Sequence, residues 1–433
     1  MNPLNNHFAK LLFYSCFLVF FNTYSQPTWQ TLTAITPNIN NQRFDDIFFL
    51  DENIGWAANG FYAAVYKTID GGKTWTEQLN ESELGGDYYF RNIEFLNEDI
   101  GFLGTLNGKF FITSNGGDNW EEVTNISPNP SAICGLDTVG ESTIYGCGAY
   151  FSPAYIIKST DSGSTWQYID MSAYANALVE IYFLTESVGY ASGRSNNGAT
   201  ILKTTDGGSS WTEIYNSNIT GEYFWKLQVL ESNTNIIFGS ISSVPQNPGK
   251  LVKTNDGGQT WSSYNAPETD VQAVGFISEN RGWMGGHTTG FYETEDGGQT
   301  WTNLNTGSNL NRIFIINSNL AYASGTSLYK FTDETLSTKI VRNQNRAPLN
   351  ISFKNNPVTS TLEFDIVFES IDNLVIELYN SNGKYIKQLS IKNNIQAKTP
   401  QNYAFSVEDL ASGVYFINFH NNTGRESKKF IKK

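Results

Sequence analysis

The chain has 433 residues, a formal charge of −14, 38 glycines and 14% aromatic residues. This length suits two or three parts rather than one domain. The acidity excludes a nucleic-acid binder working through a basic patch, and many glycines and aromatics with few charges fit an all-β protein.

Lys10 precedes an apolar run, residues 11–21, followed by Asn22-Thr23-Tyr24-Ser25-Gln26. The run is too short to span a bilayer and fits the core of an export signal, residues 1–25, cleaved after Ser25. Cys16 lies behind Phe13-Tyr14-Ser15, a poor lipidation site, so ordinary cleavage is favoured. No later stretch approaches about 18 apolar residues, so no transmembrane helix is expected.

The chain then repeats itself. Thr68–Trp75 reads TIDGGKTW, and related octamers occupy Thr113–Trp120, Ser159–Trp166, Thr204–Trp211, Thr254–Trp261 and Thr294–Trp301. They start 45, 46, 45, 50 and 40 residues apart, a period that marks a repeat fold. The octamer has the physics of a tight hairpin. The side chains of Asp70, Asn115, Asp161, Asp206, Asp256 and Asp296 accept backbone N–H bonds and close the turn. Gly71 and Gly72 supply angles that a Cβ would penalise. Thr74 favours the strand that follows, and Trp75 buries a large flat area beside it.

Around each octamer the pattern is constant. Repeat one reads FDDIFFLDENIGWAANG, then FYAAVYK, then the octamer. That is an apolar strand, a polar turn, a second strand opening on Gly-aromatic, a third strand, the hairpin and a fourth strand. Four short strands per repeat make the blade of a β-propeller. Cys134 and Cys147 fall on neighbouring strands of repeat three, and in an exported protein either a cross-strand disulfide or two buried thiols fits them.

A seventh unit follows the last octamer, residues 311–333, with three strands and no Trp. Thr28-Trp29-Gln30-Thr31-Leu32 resembles Thr74-Trp75-Thr76-Glu77-Gln78, with no octamer before it. This segment is expected to be the missing fourth strand. The reading is a seven-bladed β-propeller over residues 26–333, closed by its own N-terminus so that no edge stays free. Six blades with two orphan ends rank below it.

Residues 334–350 lose the period and read as a polar linker. Residues 351–433 are strand-rich in a different way, with Asn382-Gly383 a strong hairpin signal and a small β-sandwich expected. Charge separates the parts as well: residues 26–333 carry 14 Lys and Arg against 33 Asp and Glu, and residues 351–433 carry 10 against 8.

The octamers resemble the Asp-box (BNR) repeats of sialidases, sortilin-type receptors, some glycoside hydrolases and photosystem II assembly factors. The middle region is most similar to the assembly-factor branch, which binds membrane protein complexes. The resemblance implies that the box is structural and joins the outer strands of a blade. The C-terminal part resembles the sorting domain of the type IX secretion system of Bacteroidetes. The matching features are Asn356-Pro357-Val358, Leu378-Tyr379-Asn380 with Gly383-Lys384, Leu410-Ala411-Ser412-Gly413-Val414-Tyr415, and Lys428-Lys429-Phe430-Ile431-Lys432. It implies export by the type IX machinery to the medium or the outer-membrane cell surface.

Chemistry is sparse. Only His7, His287 and His420 exist, so no Ser-His-Asp set or histidine metal cluster can be assembled. Two cysteines without a nearby histidine make a poor zinc site, and no Gly-rich loop opens a helix to hold phosphate. No metal or cofactor is expected.

Box hairpins lie on one face of a propeller, so the candidate ligand side is the opposite face. Two rows of inner-strand residues belong near the channel mouth there. One is Asp46, Asn92, Gly135, Glu180, Lys226, Ala273 and Arg312. The row before it is Asp45, Arg91, Cys134, Val179, Trp225, Gln272 and Asn311. Arg43, the Tyr88-Tyr89 pair and Tyr223 lie in the entry loops, so aromatic faces adjoin charges as a sugar or peptide requires. The candidate ligand residues are Arg43, Asp45, Tyr88, Tyr89, Arg91, Tyr223, Trp225, Lys226 and Arg312. The bland alternative is that these side chains pack between blades.

The start, Gln42-Arg43-Phe44-Asp45, lacks the Arg-Ile-Pro segment of sialidases. A glycoside hydrolase needs two carboxylates across a cleft, and Asp46 and Glu180, on roughly opposite blades, are the candidates. The expected function is an exported propeller binding an extracellular protein or glycan, with a secreted glycoside hydrolase as the alternative.

Overall fold

A computed structural model describes residues 26–86, 88–334, 350–367, 372–380, 385–395, 400–421 and 424–433. The export signal, nearly all of the linker and the Asn382-Gly383 hairpin lie outside the described residues. The chain divides into two compact units, Met1–Thr338 and Lys339–Lys433.

The first unit is built of seven four-stranded antiparallel sheets. Blade one takes Phe44–Phe49, Gly55–Asn59, Ala64–Thr68 and Thr76–Leu79 in sequence order. The inner strands of blades two to seven are Phe90–Phe95, Gly135–Val139, Ala177–Phe183, Tyr223–Val229, Val271–Phe276 and Arg312–Asn317. Blade seven adds Leu320–Ser324 and Leu328–Thr332, and its outer strand is Thr28–Thr31 from the opposite end of the chain. Trp29 pairs with Phe331 in that ladder. Its ring stacks on Phe291 of blade six at 4.1 Å and meets Trp283 edge-on at 5.5 Å. Ring closure is thus anchored by aromatic burial as well as by the ladder.

Packing between blades runs through pairs of aromatic rings. The second-strand aromatic of one blade stacks on the first-strand Phe of the next. The pairs are Trp56 on Phe95 at 3.5 Å, Tyr145 on Phe183 at 3.6 Å, Phe238 on Phe276 at 3.7 Å and, across the seam, Tyr322 on Phe49 at 3.6 Å. In blades one, two, four and six a glycine precedes the second-strand aromatic, and it makes room for the Phe of its own blade. A Cβ on Gly101 would lie 2.3 Å from the Phe95 ring.

The boxes cap their turns and reach sideways. Thr74 donates its N–H to Asp70 Oδ1 (2.8 Å) and its hydroxyl to Oδ2 (2.7 Å), while the Gly72 N–H donates to Thr68 Oγ1 (2.9 Å). Gly71 and Gly72 sit at φ +69° and +84°, where a side chain would be strained. The first box glycine also accepts a lysine from the preceding blade. Lys67 reaches Gly116 (3.1 Å), Lys158 reaches Gly207 (2.8 Å), Lys203 reaches Gly257 (3.3 Å) and Lys330 reaches Gly71 (3.1 Å). Each ammonium crosses an aromatic ring of its own blade on the way, as Lys67 does over Trp56 at 5.0 Å.

Cys134 and Cys147 are separate buried thiols, so the cross-strand disulfide reading is corrected. Their side chains serve different clusters: Cys134 packs with Ala132, Ala149 and Val179, and Cys147 with Tyr145, Ala154 and Ile156. Burial pushes the Cys134 thiol up to about 11 and that of Cys147 well above its usual value.

The second unit is a sandwich of two sheets. One orders Asn350–Phe353, Thr361–Val367 and Gln401–Ser406; the other orders Tyr385–Ile395, Asp372–Asn380, Gly413–Asn421 and Gly424–Lys432. Thr361–Val367 alternates half-buried and buried residues, the period of a strand with one face on a core. Leu362, Phe364, Ile376, Leu378, Ile417 and Phe419 fill that core.

Candidate functional site

Consecutive residues of a strand point to opposite faces, yet both candidate rows gather around the channel mouth. A bulge is the reason. In five blades the register of the inner strand shifts across one residue, and the skipped residues are Asp45, Arg91, Val179, Trp225 and Gln272. A bulge inserts one unpaired residue and re-aims its side chain. The second row therefore turns towards the mouth beside the first.

At the mouth, Asp45 is fully buried and accepts Arg91 Nη1 at 2.6 Å and Arg43 Nη2 at 3.3 Å. Arg43 Nη1 also lies 3.2 Å from Asn309 Oδ1 and 3.4 Å from His287 Nδ1. Burial and the Arg43 charge hold His287 below its usual pKa. Asn311 donates to the Asp45 carbonyl and ties blade seven to blade one.

Beside this cluster stands an aromatic group. Tyr223 and Trp225 stack at 4.7 Å. Arg91 lies over Trp225 at 5.7 Å and Arg194 over Tyr223 at 4.9 Å. The Tyr223 hydroxyl donates to the Tyr150 carbonyl. Tyr150 and Phe151 are 44% and 38% exposed, and Phe61 on the corresponding loop of blade one is 54% exposed. Tyr88 instead packs edge-on against Phe111 in the core of blade two. Tyr89 neighbours Asp45, close to where a Cβ on Gly60 would fall.

Deeper in the channel sits a second charged group. Arg312 bridges Asp46 (3.4 Å) and Glu180 (3.2 Å), and Lys226 pairs with Glu180 at 2.5 Å. Asp46 also accepts the backbone N–H of Ile93 on the next blade at 3.1 Å. Asp137 accepts that of Phe183 at 2.5 Å, and Gln228 holds Phe276 at 2.6 Å. These polar side chains latch neighbouring inner strands to each other. Burial raises Asp46, and Arg312 and Lys226 offset part of that. Burial also raises Glu94 well above the carboxylate range and pushes Asp137 up to about 8. It lowers Lys226. Burial opposes the charge of Arg312, but Asp46 and Glu180 more than compensate and raise its pKa.

Asp46 and Glu180 are thus brought together, but onto one guanidinium rather than across an open cleft. Among the described residues no cluster of His, Cys, Asp and Glu forms a metal site, and no helix is long and apolar enough to cross a membrane. Arg194, Tyr150, Phe151, Glu94 and Asp137 were not singled out from the sequence. The two acids had a signal, since each stands two residues after a candidate row position and so on the same side of its strand.

A family model described as the secretion system C-terminal sorting domain matches residues 356–433. A second, described as photosynthesis system II assembly factor YCF48, matches residues 22–167. Among solved structures, YCF48 from Cyanidioschyzon merolae aligns with a TM-score of 0.56 at 20% identity, over 71% of this chain and 99% of that one. A YCF48 bound to a D1 peptide aligns with a TM-score of 0.54 at 18% identity, over 70% and 96%. The chain is a propeller similar to YCF48 with a secretion sorting tail. PorZ, a surface component of the type-IX secretion system of Porphyromonas gingivalis, aligns with a TM-score of 0.51 at 14% identity, over 92% of this chain and 60% of that one. At these identities the likeness to the YCF48 and PorZ structures is one of fold. No curated protein sequence matches the chain. The sorting tail marks the protein as secreted or attached at the cell surface, and so as a client of the secretion machinery.

Proposed function

We propose that this YCF48-like propeller is an exported binding protein that takes an extracellular protein or glycan on the face opposite its boxes, without catalysis. The observation that carries the reading is the Tyr223–Trp225 stack flanked by Arg194 and Arg91, beside exposed Tyr150 and Phe151. Flat rings next to guanidinium donors suit sugars and peptide side chains alike. A neighbour of the same fold, one YCF48, takes a peptide. A hydrolase working through Asp46 and Glu180 gains no support from the geometry, because Arg312 occupies both carboxylates and Lys226 holds Glu180 as well.

The test is a glycan and peptide array probed with the full chain, together with a polysaccharide-hydrolysis screen. Binding that is lost in Trp225→Ala and in the double variant Tyr150→Ala/Phe151→Ala, with no turnover, supports the reading. Turnover that disappears in Glu180→Gln overturns it. Delivery by the tail is tested separately by deleting residues 351–433, and undiminished surface display of that variant would refute it.

A further inference from the structure

The channel contains a cavity of about 520 Å³, within the size range of small-molecule sites. Asp137, Glu180, Lys226 and Arg312 wall its deep end, and Tyr182 and Phe314 lie along its flank. Its outer end is formed by Glu231, Ser232, Asn317 and Ser318, all exposed and all at turns between first and second strands. It therefore opens on the box face and is distinct from the aromatic group at the other mouth. Blade six contributes Val274, Phe276 and Ile277 to the wall.

Two independent features set the charge of what fits there. Inside, Asp46, Glu94, Asp137 and Glu180 face two cations among the described residues, Lys226 and Arg312. Both cations are committed to Glu180, and Arg312 to Asp46 as well, whereas Glu94 and Asp137 form no ion pair among the described residues. Asp137 spends one oxygen on the Phe183 N–H and stands on the cavity wall. Outside, the turns at the open end carry exposed Glu52, Glu98, Asp99, Glu186, Glu231 and Glu279. The one cation in these turns, Arg281, is paired with Glu293 at 2.9 Å. An acidic rim of this kind concentrates cations at the entrance.

We propose that the channel binds a small organic amine, entering from the box face, with its ammonium against Asp137 and its apolar body against Tyr182 and Phe314. The apolar flank favours an organic cation over a bare metal ion. Asp137 is faced by Glu94, Glu180, Arg312 and Tyr182, and burial holds its proton up to about pH 8. An arriving ammonium replaces that proton. Affinity for the amine therefore rises as pH climbs towards the point where Asp137 ionises unaided.

Calorimetric titration of the full chain with 2-phenylethylamine tests this, with 2-phenylethanol, phenylacetate and calcium chloride as comparisons. The amine alone is expected to bind, and its Kd to fall about tenfold or more between pH about 6.5 and about 8.5, one pK unit being a factor of ten. Ser232→Trp, at the exposed entrance, is expected to abolish binding without moving the melting temperature, and Asp137→Asn to remove the pH dependence. Trp225→Ala is expected to leave amine binding intact, which separates this site from the one on the opposite face. Absence of amine binding, equal binding of the alcohol, displacement of the amine by calcium, or full affinity in Ser232→Trp would each overturn the proposal.

Discussion

The two ends of the propeller are built on opposite principles. At the box end most blades repeat the same joints: an acid or amide caps a turn in six of them, in four a lysine reaches a glycine carbonyl of the next blade, and in four an aromatic ring stacks on the next blade's Phe, Phe49 at the seam. At the other end the equivalent positions read Asp45, Arg91, Cys134, Val179, Trp225, Gln272 and Asn311, and no two blades agree. Repetition is what a ring needs to hold identical joints. Divergence is what a surface needs to recognise one ligand from many directions. In a repeat protein the residues that stand out by recurrence therefore report on the scaffold, and those that break the repeat are where recognition is to be sought.

Substitutions sharpen the contrast. The largest effect is expected from Arg312→Ala, which leaves Asp46 and Glu180 buried with one cation fewer; breaking a buried pair costs about 3–5 kcal/mol, measurable by denaturant unfolding. Next comes Gly101→Ala, whose Cβ would meet the Phe95 ring and strain the stack by about 1–3 kcal/mol. The boxes should show themselves in acid. The Ser210 hydroxyl and backbone hold Asp206 down at about 2, and Thr300 does the same for Asp296. A carboxylate whose folded pKa lies below its unfolded value of about 4 stabilises the fold above that value. This contribution is lost as pH falls from about 4 towards 2. The triple change Asp206→Asn, Asp256→Asn and Asp296→Asn should flatten the acid limb of the melting-temperature profile. The smallest stability change, within about 0.5 kcal/mol, is expected for Tyr150→Ala/Phe151→Ala, since both residues lie at the surface outside the buried clusters. If that pair costs as much as Gly101→Ala, the distinction between scaffold and recognition surface fails there.

Much of the fold was legible because periodicity survives single-residue noise. Six boxes set the blade, and one Trp without a box, Trp29, located the seam. The candidate site was legible only in outline. The inner-strand rows could be aligned, but Asp46 and Glu180 could not be known to meet on Arg312, because Arg312 comes from a blade 132 residues beyond Glu180. Likewise nothing in the sequence announces the bulge that turns Trp225 towards the mouth, since it is a property of paired backbones. The sideways reach of Lys67, Lys158, Lys203 and Lys330 did leave a trace, a lysine just before the box, whose meaning lies in the neighbouring blade.

The seam has a mechanical side. The chain leaves the propeller from Leu328–Thr332, and that strand is hydrogen-bonded to Leu320–Ser324 on one side and to Thr28–Thr31 on the other. A tug arriving through the C-terminal end enters the ring on a strand gripped along both edges. The load is shared between two ladders instead of peeling an outermost strand bond by bond. Under such a load the borrowed N-terminal strand works as a strain relief, taking tension where the chain leaves the ring.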